Sequence, residues 1–223
     1  MKALAFCICW LTAVRVLAVG PASGFEKLKS IDSPEGHVTA DFYFRDADTK
    51  RQIWLRYSTS DNEPELLYEY ERDADLLFSP DERWIVVNDR LGSNVSEVRL
   101  FKQIRGLKYA EEEQAHVTEK AWRFLATHYG LPKVPEMFHR YSQVIRWAPD
   151  SRAFMVVLCG HEDIDQRVDP WTCVFDLRSF EPSLDLSLMN RDAVRIGGKT
   201  LNDGGLTPNT ASQPTPKEGA AER

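Results

Sequence analysis

The most regular feature of the chain is a series of short segments in which apolar or β-branched residues alternate with polar ones. Residues 37–44 and 52–57 are two such segments, and the turn-forming residues 46–48 (Asp-Ala-Asp) lie between them. A period of two is typical of strands that bury one face. The pattern therefore predicts two strands joined by a turn.

A longer pattern of strands and turns follows and then occurs a second time. Pro80 and Pro149 occupy matching turns 69 positions apart, whereas Phe101 and Phe175, on matching strands, are 74 apart. The loop between the last two strands is thus five residues longer in the second copy. The predicted strands are residues 66–70, 75–78, 84–88 and 98–101 in the first copy, and residues 144–147, 154–158 and 172–178 in the second.

One helix is predicted between the two copies, over residues 109–129. Three glutamates at 111–113 suit the positive end of a helix, and Gly130 followed by Pro132 is a typical stop. Apolar residues recur at helical spacing and predict one buried face. These residues are Val117, Ala121, Trp122 and Leu125, followed by His128 or Tyr129.

The two proline turns carry a resemblance to a known family. Residues 78–84 (Phe-Ser-Pro-Asp-Glu-Arg-Trp) and 147–153 (Trp-Ala-Pro-Asp-Ser-Arg-Ala) resemble the aromatic-Ser-Pro-Asp-Gly-Lys/Arg turn of TolB-like, WD-repeat-like β-propeller blades. Glu82 and Ser151 stand where that family favours glycine. Pro fixes φ for such a turn, and Asp can hydrogen-bond to the nearby backbone.

The resemblance implies a mainly β fold built from propeller-blade-like antiparallel sheets. The blade-like repeats cover about residues 66–103 and 143–179, with a helical insert at about 109–130. Two copies are too few for a closed propeller, which needs at least about four blades. We expect two sheets packed together, with the helix covering an edge. A partial ring completed by another subunit, or an unrelated β fold that shares the turn, are the alternatives.

The N-terminal segment reads as a secretory signal peptide. A basic start precedes the apolar residues 3–14, and small residues at 22–24 offer a cleavage site that would make Phe25 the first mature residue. Cleavage after Gly20 is the alternative. Arg15 and the short apolar length argue against a permanent membrane anchor. Residues 1–24 therefore predict a secreted or periplasmic protein.

The remaining chain divides into a β-rich domain, residues 25–197, and a C-terminal tail, residues 198–223. The tail is rich in glycine and proline, and Leu201 and Leu206 are its only large apolar residues. Such a composition cannot bury enough apolar surface to offset the entropy lost on ordering. We therefore expect the tail to be disordered.

Composition and charge exclude several functional classes. Of the 223 residues, 43% are hydrophobic, which is sufficient for a folded core. The chain carries 28 basic and 34 acidic residues, a net charge of −6, and no dense basic cluster. A protein of this balance has little with which to neutralise phosphates, so nucleic acid is not an expected partner.

Two cysteines, Cys159 and Cys173, remain after removal of the signal peptide. If the strand at 154–159 pairs antiparallel with the strand at 173–178, the two residues lie opposite each other and within reach of a disulfide. An exported protein meets the oxidising conditions that a disulfide requires. We expect this disulfide, with two buried free thiols as the alternative.

The loop at 160–171 holds the other candidate chemistry. Residues 161–165 (His-Glu-Asp-Ile-Asp) nearly match a zinc-protease motif, but Asp165 replaces its second histidine. With Asp169 the segment could offer oxygen ligands to calcium. The spacing of a calcium loop is absent, which favours a solvated acidic loop. Trp171, next to Pro170, is the tryptophan expected to be most exposed.

These observations lead to one main functional hypothesis and two alternatives. The main hypothesis is an exported, non-enzymatic protein that binds another protein of the cell envelope or the extracellular space, without a cofactor. No residues are assigned as catalytic, metal-binding or cofactor-binding. The alternatives are a secreted hydrolase, tested first at His161, Asp163 and Asp165, and a small-ligand or metal-binding protein that uses loop 160–171.

Overall fold

The chain folds into three four-stranded antiparallel sheets, so the prediction of a mainly β fold is confirmed. The computed structural model describes residues 20–59, 63–162, 167–191, 193–196 and 199–201. In each large sheet the strands are neighbours in the order in which they follow one another along the chain. This up-and-down order is that of a propeller blade. Most of the predicted signal peptide and most of the predicted tail lie outside the described residues.

The first sheet, sheet 1, is formed by the N-terminal part of the domain. The sequence predicted only two strands here, because the first strand has an exposed, lysine-rich pattern and the fourth was grouped with the next repeat. Three sheets are therefore present where two were expected. The strands of sheet 1 are β1 (Glu26–Asp32), β2 (Val38–Arg45), β3 (Lys50–Tyr57) and β4 (Glu65–Tyr70).

Sheet 2 lies between the other two sheets and is buried on both faces. On its second strand, Ile85 and Val87 contact sheet 1, whereas Val86 contacts sheet 3. This explains why the strand is an almost unbroken apolar run instead of an alternating one. The strands of sheet 2 are β5 (Asp73–Phe78), β6 (Trp84–Arg90), β7 (Glu97–Arg105) and β8 (Lys108–Glu111).

Sheet 3 forms the C-terminal layer. Its inner face packs on sheet 2 and on the helix, and Met189 of a short helix covers part of its outer face. Its strands are β9 (His139–Trp147), β10 (Ala153–His161), β11 (Arg167–Asp176) and β12 (Glu181–Ser183). The short helix α2 (Ser187–Asn190) and a hairpin of β13 (Val194–Ile196) and β14 (Lys199–Leu201) follow.

The long helix, α1 (Val117–His128), is shorter than the sequence predicted. Residues 109–111, which were expected to begin it, instead belong to β8 (Lys108–Glu111) on the edge of sheet 2. Pairing with β7 satisfies the backbone there, and the local glutamate pattern did not reveal it. The predicted apolar face is confirmed at Val117, Ala121, Trp122 and Leu125, which are buried. Its predicted last member is wrong, because His128 and Tyr129 are both exposed. Across the described residues, no helix combines the length and the apolar character needed to cross a membrane.

The two proline turns adopt the backbone conformation that glycine usually supplies. Glu82 has φ of 58° and Ser151 has φ of 60°, both in the left-handed region. Each side chain accepts a hydrogen bond from a backbone N–H of the sheet that precedes it in the chain. The Glu82 carboxylate accepts the backbone N–H of Glu35 at 3.1 Å, and Ser151 Oγ accepts the backbone N–H of Asp81 at 3.0 Å. These residues therefore tie the turns of the three sheets together.

A buried amide joins sheet 2 to sheet 3. Asn88 Nδ2 donates a hydrogen bond to the carbonyl of Val144 at 2.9 Å, and Asn88 Oδ1 accepts one from the backbone N–H of Val144 at 2.8 Å. Both atoms of the amide are thus used at a point where no strand of sheet 2 pairs with β9. The asparagine satisfies backbone groups that would otherwise be buried without a partner.

The Ser151 turn leads to a test of the fold. Ser151→Ala removes the acceptor for Asp81 but keeps the left-handed backbone, so we expect the free energy of unfolding to fall by about 1–2 kcal/mol. Ser151→Gly loses the same bond but relieves about 1 kcal/mol of backbone strain. The glycine variant should therefore be the more stable of the two in urea unfolding. A glycine variant less stable than the alanine variant would contradict this account.

Candidate functional site

A groove of about 880 Å³ lies between the end of α1 and the edge of sheet 3. We call it the α1–β11 groove. One wall comes from α1 and the residues after it, and the other from β11. Its apolar lining is Leu125, Tyr129, Leu131, Pro132, Pro135, Met137, Val168, Pro170 and Trp171, and its charged lining is Lys133, Arg167 and Asp169.

The end of α1 shapes the first wall. The N–H of Gly130 donates to the carbonyl of Thr127 at 3.0 Å, and the N–H of Leu131 donates to that of Ala126 at 2.8 Å. This is a Schellman cap, and it needs the left-handed φ of 66° that Gly130 adopts. The chain therefore leaves the helix sharply, and Pro132 and Pro135 keep the following segment from forming another helix.

Aromatic rings line the floor of the groove. The ring centroid of Trp171 lies 6.0 Å from that of Phe124 and 6.2 Å from that of His128, and His128 in turn contacts Tyr129 edge-on at 4.9 Å. Packing on α1 leaves Trp171 partly exposed, as is Trp84, whereas Trp54, Trp122 and Trp147 are buried. Tyr129 is 60% exposed and Leu131 41%, so the most accessible apolar groups lie after the helix.

A close backbone approach positions the far end of the groove. Met137 packs against Gly160 of β10, where a Cβ atom would lie 2.8 Å from the Met137 sulfur and 2.8 Å from the carbonyl oxygen of His139. Any larger residue at position 160 would therefore push the 129–138 segment away from sheet 3. Glycine here allows both walls of the groove to meet.

The charged groups at the rim are paired with each other. Lys133 Nζ lies 2.5 Å from Glu136 Oε1, and Arg167 Nη2 lies 2.8 Å from Asp169 Oδ2. The hydrogen bond from Lys133 keeps the pKa of the exposed Glu136 carboxyl below its usual value. The rim thus adds polarity with little net charge, and the groove offers mainly apolar and aromatic contact.

Another depression, of about 550 Å³, is lined by residues of α1 and β7 and carries several charged side chains. Arg99 there binds Glu97 and Glu111, each at 3.1 Å. Its remaining carboxylates are close to solvent, where acidic side chains are commonly found without a ligand. The apolar α1–β11 groove is therefore the better candidate for binding.

The structure shows that both ends of the predicted loop 160–171 are strand. Most of this segment is strand, because Gly160 pairs with Val168 and His161 pairs with Arg167. Asp163 and Asp165 lie outside the described residues, so the hydrolase and calcium alternatives that depend on them stay untested. Within the described ranges, no three His, Cys, Asp or Glu side chains are grouped so that they could hold a metal ion.

Cys159 and Cys173 do not lie opposite each other, contrary to the predicted register. Both are free thiols in the structure, and the residue opposite Cys173 is Val156, three positions away from Cys159. Because side chains alternate between the faces of a strand, the two thiols lie on opposite faces of sheet 3. Cys173 is buried against sheet 2, whereas Cys159 lines a shallow depression beside His161.

The sequence analysis found only one wall of the groove. It singled out Trp171 and the segment before it, but it interpreted Tyr129, Gly130 and Pro132 solely as the end of a helix. The available signal was the run of apolar residues and prolines directly after that stop. Such a run gives no indication of which strand it faces, so the groove could not be inferred from it.

Comparisons with known proteins identify no family for the chain. Neither protein-family models nor curated proteins match the sequence. Among solved structures, the chain is similar to the crystal structure of TolB from Acinetobacter baumannii, with 13% sequence identity and a TM-score of 0.41. The similarity covers 71% of this chain and 31% of the TolB chain, so the match spans less than a third of that protein.

The positions of the two thiols predict their reactivity. Burial raises the pKa of Cys173 to about 12, and burial together with the nearby Asp169 raises the pKa of Cys159 less strongly. We expect a small alkylating reagent to modify Cys159 in the folded protein and leave Cys173 unmodified, as read by peptide mass spectrometry. Both should react in denaturant. If neither reacts until a reductant is added, the two cysteines form the disulfide that the sequence predicted.

Proposed function

We propose that this chain is an exported, non-enzymatic binding protein whose α1–β11 groove accepts an extended, uncharged, proline-containing segment of another exported protein. The observation that carries the proposal is the groove itself, which combines exposed apolar side chains, an aromatic floor and a rim of paired charges. Specific binding sites are concave and mostly apolar, with a few polar groups that orient the ligand.

The chemistry of the lining favours one class of partner. Proline-rich segments dock into aromatic-lined grooves, because their extended conformation is already formed and little entropy is lost on binding. Tyr129 and Trp171 supply aromatic surface here, and Leu131 adds an aliphatic contact. Because Lys133 and Arg167 already have acidic partners, a strongly charged segment would gain little from the rim.

Export is the second part of the proposal. It is supported by the basic start, the apolar residues 3–14 and the small residues at 22–24. A partner would then be another exported or envelope protein, which agrees with the main hypothesis from the sequence.

The groove is tested with synthetic peptides of about ten residues, which in the polyproline conformation extend about 3.1 Å per residue. We expect peptides rich in proline and leucine to bind more tightly than lysine-rich or glutamate-rich peptides of equal length. Tyr129→Ala and Leu131→Ser should each weaken binding about tenfold or more, because each removes roughly 1.5–3 kcal/mol of apolar burial. The measurement is the dissociation constant from fluorescence anisotropy.

Phe138→Ala is the matched control for the groove variants. Phe138 is 64% exposed and lies just beyond the residues that line the groove, so its removal should leave the dissociation constant unchanged. Equal affinity for all three peptide classes, or a loss for Phe138→Ala as large as that for Tyr129→Ala, would refute the assignment of the groove.

Export is tested by sequencing the N-terminus of the chain recovered from the medium or periplasm of a secreting host. We expect the mature chain to begin at Phe25, because residues 22–24 provide the small-residue cleavage site. A variant of the protein with residues 1–24 deleted should remain inside the cell. Recovery of an intact Met1 in the membrane fraction would indicate an anchor instead.

A further inference from the structure

Two histidines lie side by side at the open end of the β9–β10 hairpin. His139 and His161 are directly paired across the two strands, and their rings stack with centroids 4.3 Å apart at an interplanar angle of 17°. Directly opposed residues project from the same face of a sheet, so both imidazoles reach the same region of solvent. No part of the proposed peptide groove includes either side chain.

The hydrogen bonds of Tyr141 determine which nitrogen of His139 is available. The Tyr141 hydroxyl donates its only hydrogen to the carbonyl of Ser93 at 2.7 Å. Its oxygen lies 3.0 Å from Nδ1 of His139, so that oxygen accepts a hydrogen bond from Nδ1–H. In the neutral imidazole the lone pair is then on Nε2.

This arrangement is the one that surrounds metal-bound histidines. A histidine ligand almost always donates its second ring N–H to an oxygen, which fixes the tautomer and orients the ring. Tyr141 supplies that oxygen to His139 and is itself held by Ser93. On His161 the imidazole stacks on His139, and among the described residues neither of its ring nitrogens has a hydrogen-bond partner.

The two rings are near enough to share one ion once one of them is reoriented. Two nitrogens bound tetrahedrally at about 2.0–2.1 Å from zinc lie about 3.3 Å apart. The two rings are nearly parallel with centroids 4.3 Å apart, so their in-plane lone pairs do not converge, and one imidazole must rotate about its side-chain torsions before both nitrogens can reach one ion. Imidazole is a preferred ligand of Cu²⁺, Zn²⁺ and Ni²⁺, whereas calcium and magnesium favour oxygen.

We propose that His139 and His161 together bind one divalent transition-metal ion, with Nε2 of His139 as one ligand and water completing the coordination. A site with two protein ligands agrees with the lack of a preformed group of three ligands in the described ranges. The ion would join β9 to β10 at the end of sheet 3 that also carries Gly160 and Val168, next to the groove.

The test is a titration of the untagged exported chain with Cu²⁺, followed by calorimetry and by electron paramagnetic resonance. We expect one ion per chain and a spectrum with nitrogen hyperfine coupling from two imidazoles. His139→Asn and His161→Asn should each weaken binding at least tenfold. Tyr141→Phe should also weaken it, by about tenfold or more, because it removes the acceptor that orients His139.

His116→Asn is the matched control. His116 is an exposed histidine at the start of α1, so its loss should leave the affinity and the spectrum unchanged. Circular dichroism and urea unfolding of each variant would show that the fold is retained. An unchanged affinity in His161→Asn, or a Cu²⁺ spectrum without imidazole nitrogen, would overturn the proposal. These results are independent of peptide binding, so failure of one proposal leaves the other standing.

Discussion

The burial of sheet 2 on both faces is the constraint on which the rest of the structure depends. Its strand β6 sends Ile85 and Val87 to one side and Val86 to the other, so the sheet must be covered by a layer on each face. If either face of the strand were exposed, the folded state would lose roughly 1.5–3 kcal/mol of stability for each large apolar side chain left in water. Sheets 1 and 3 supply the two layers, and the buried Asn88 fixes where sheet 3 can lie.

That arrangement also creates the candidate sites. The apolar face of α1 fills the space beside sheets 2 and 3, and the helix therefore ends next to β11. The segment after Gly130 then has to turn back over the edge of sheet 3, which forms the α1–β11 groove. The same end of sheet 3 carries the His139–His161 pair, because the two histidines are paired at the open end of the β9–β10 hairpin. One end of one sheet thus carries both surfaces.

The turns show how local sequence and tertiary contacts are combined. The proline and aspartate of each turn are sufficient to predict a reversal of the chain, and the structure has one at both positions. Glu82 and Ser151 are poor choices for a left-handed backbone when the turn is considered alone. They become favourable once the neighbouring sheet is present, because their side chains then accept hydrogen bonds from Glu35 and Asp81.

The sequence by itself determined the mainly β class, most strands of the two repeats and the buried face of α1, since each depends on periodicity within a short segment. Tertiary structure decided the rest. Strand β8 exists because β7 offers an edge, and the register that separates Cys159 from Cys173 depends on pairing between distant segments. The groove and the histidine pair likewise join residues far apart in the chain. A local pattern specifies which face of an element is apolar, but only packing selects the partner that covers it.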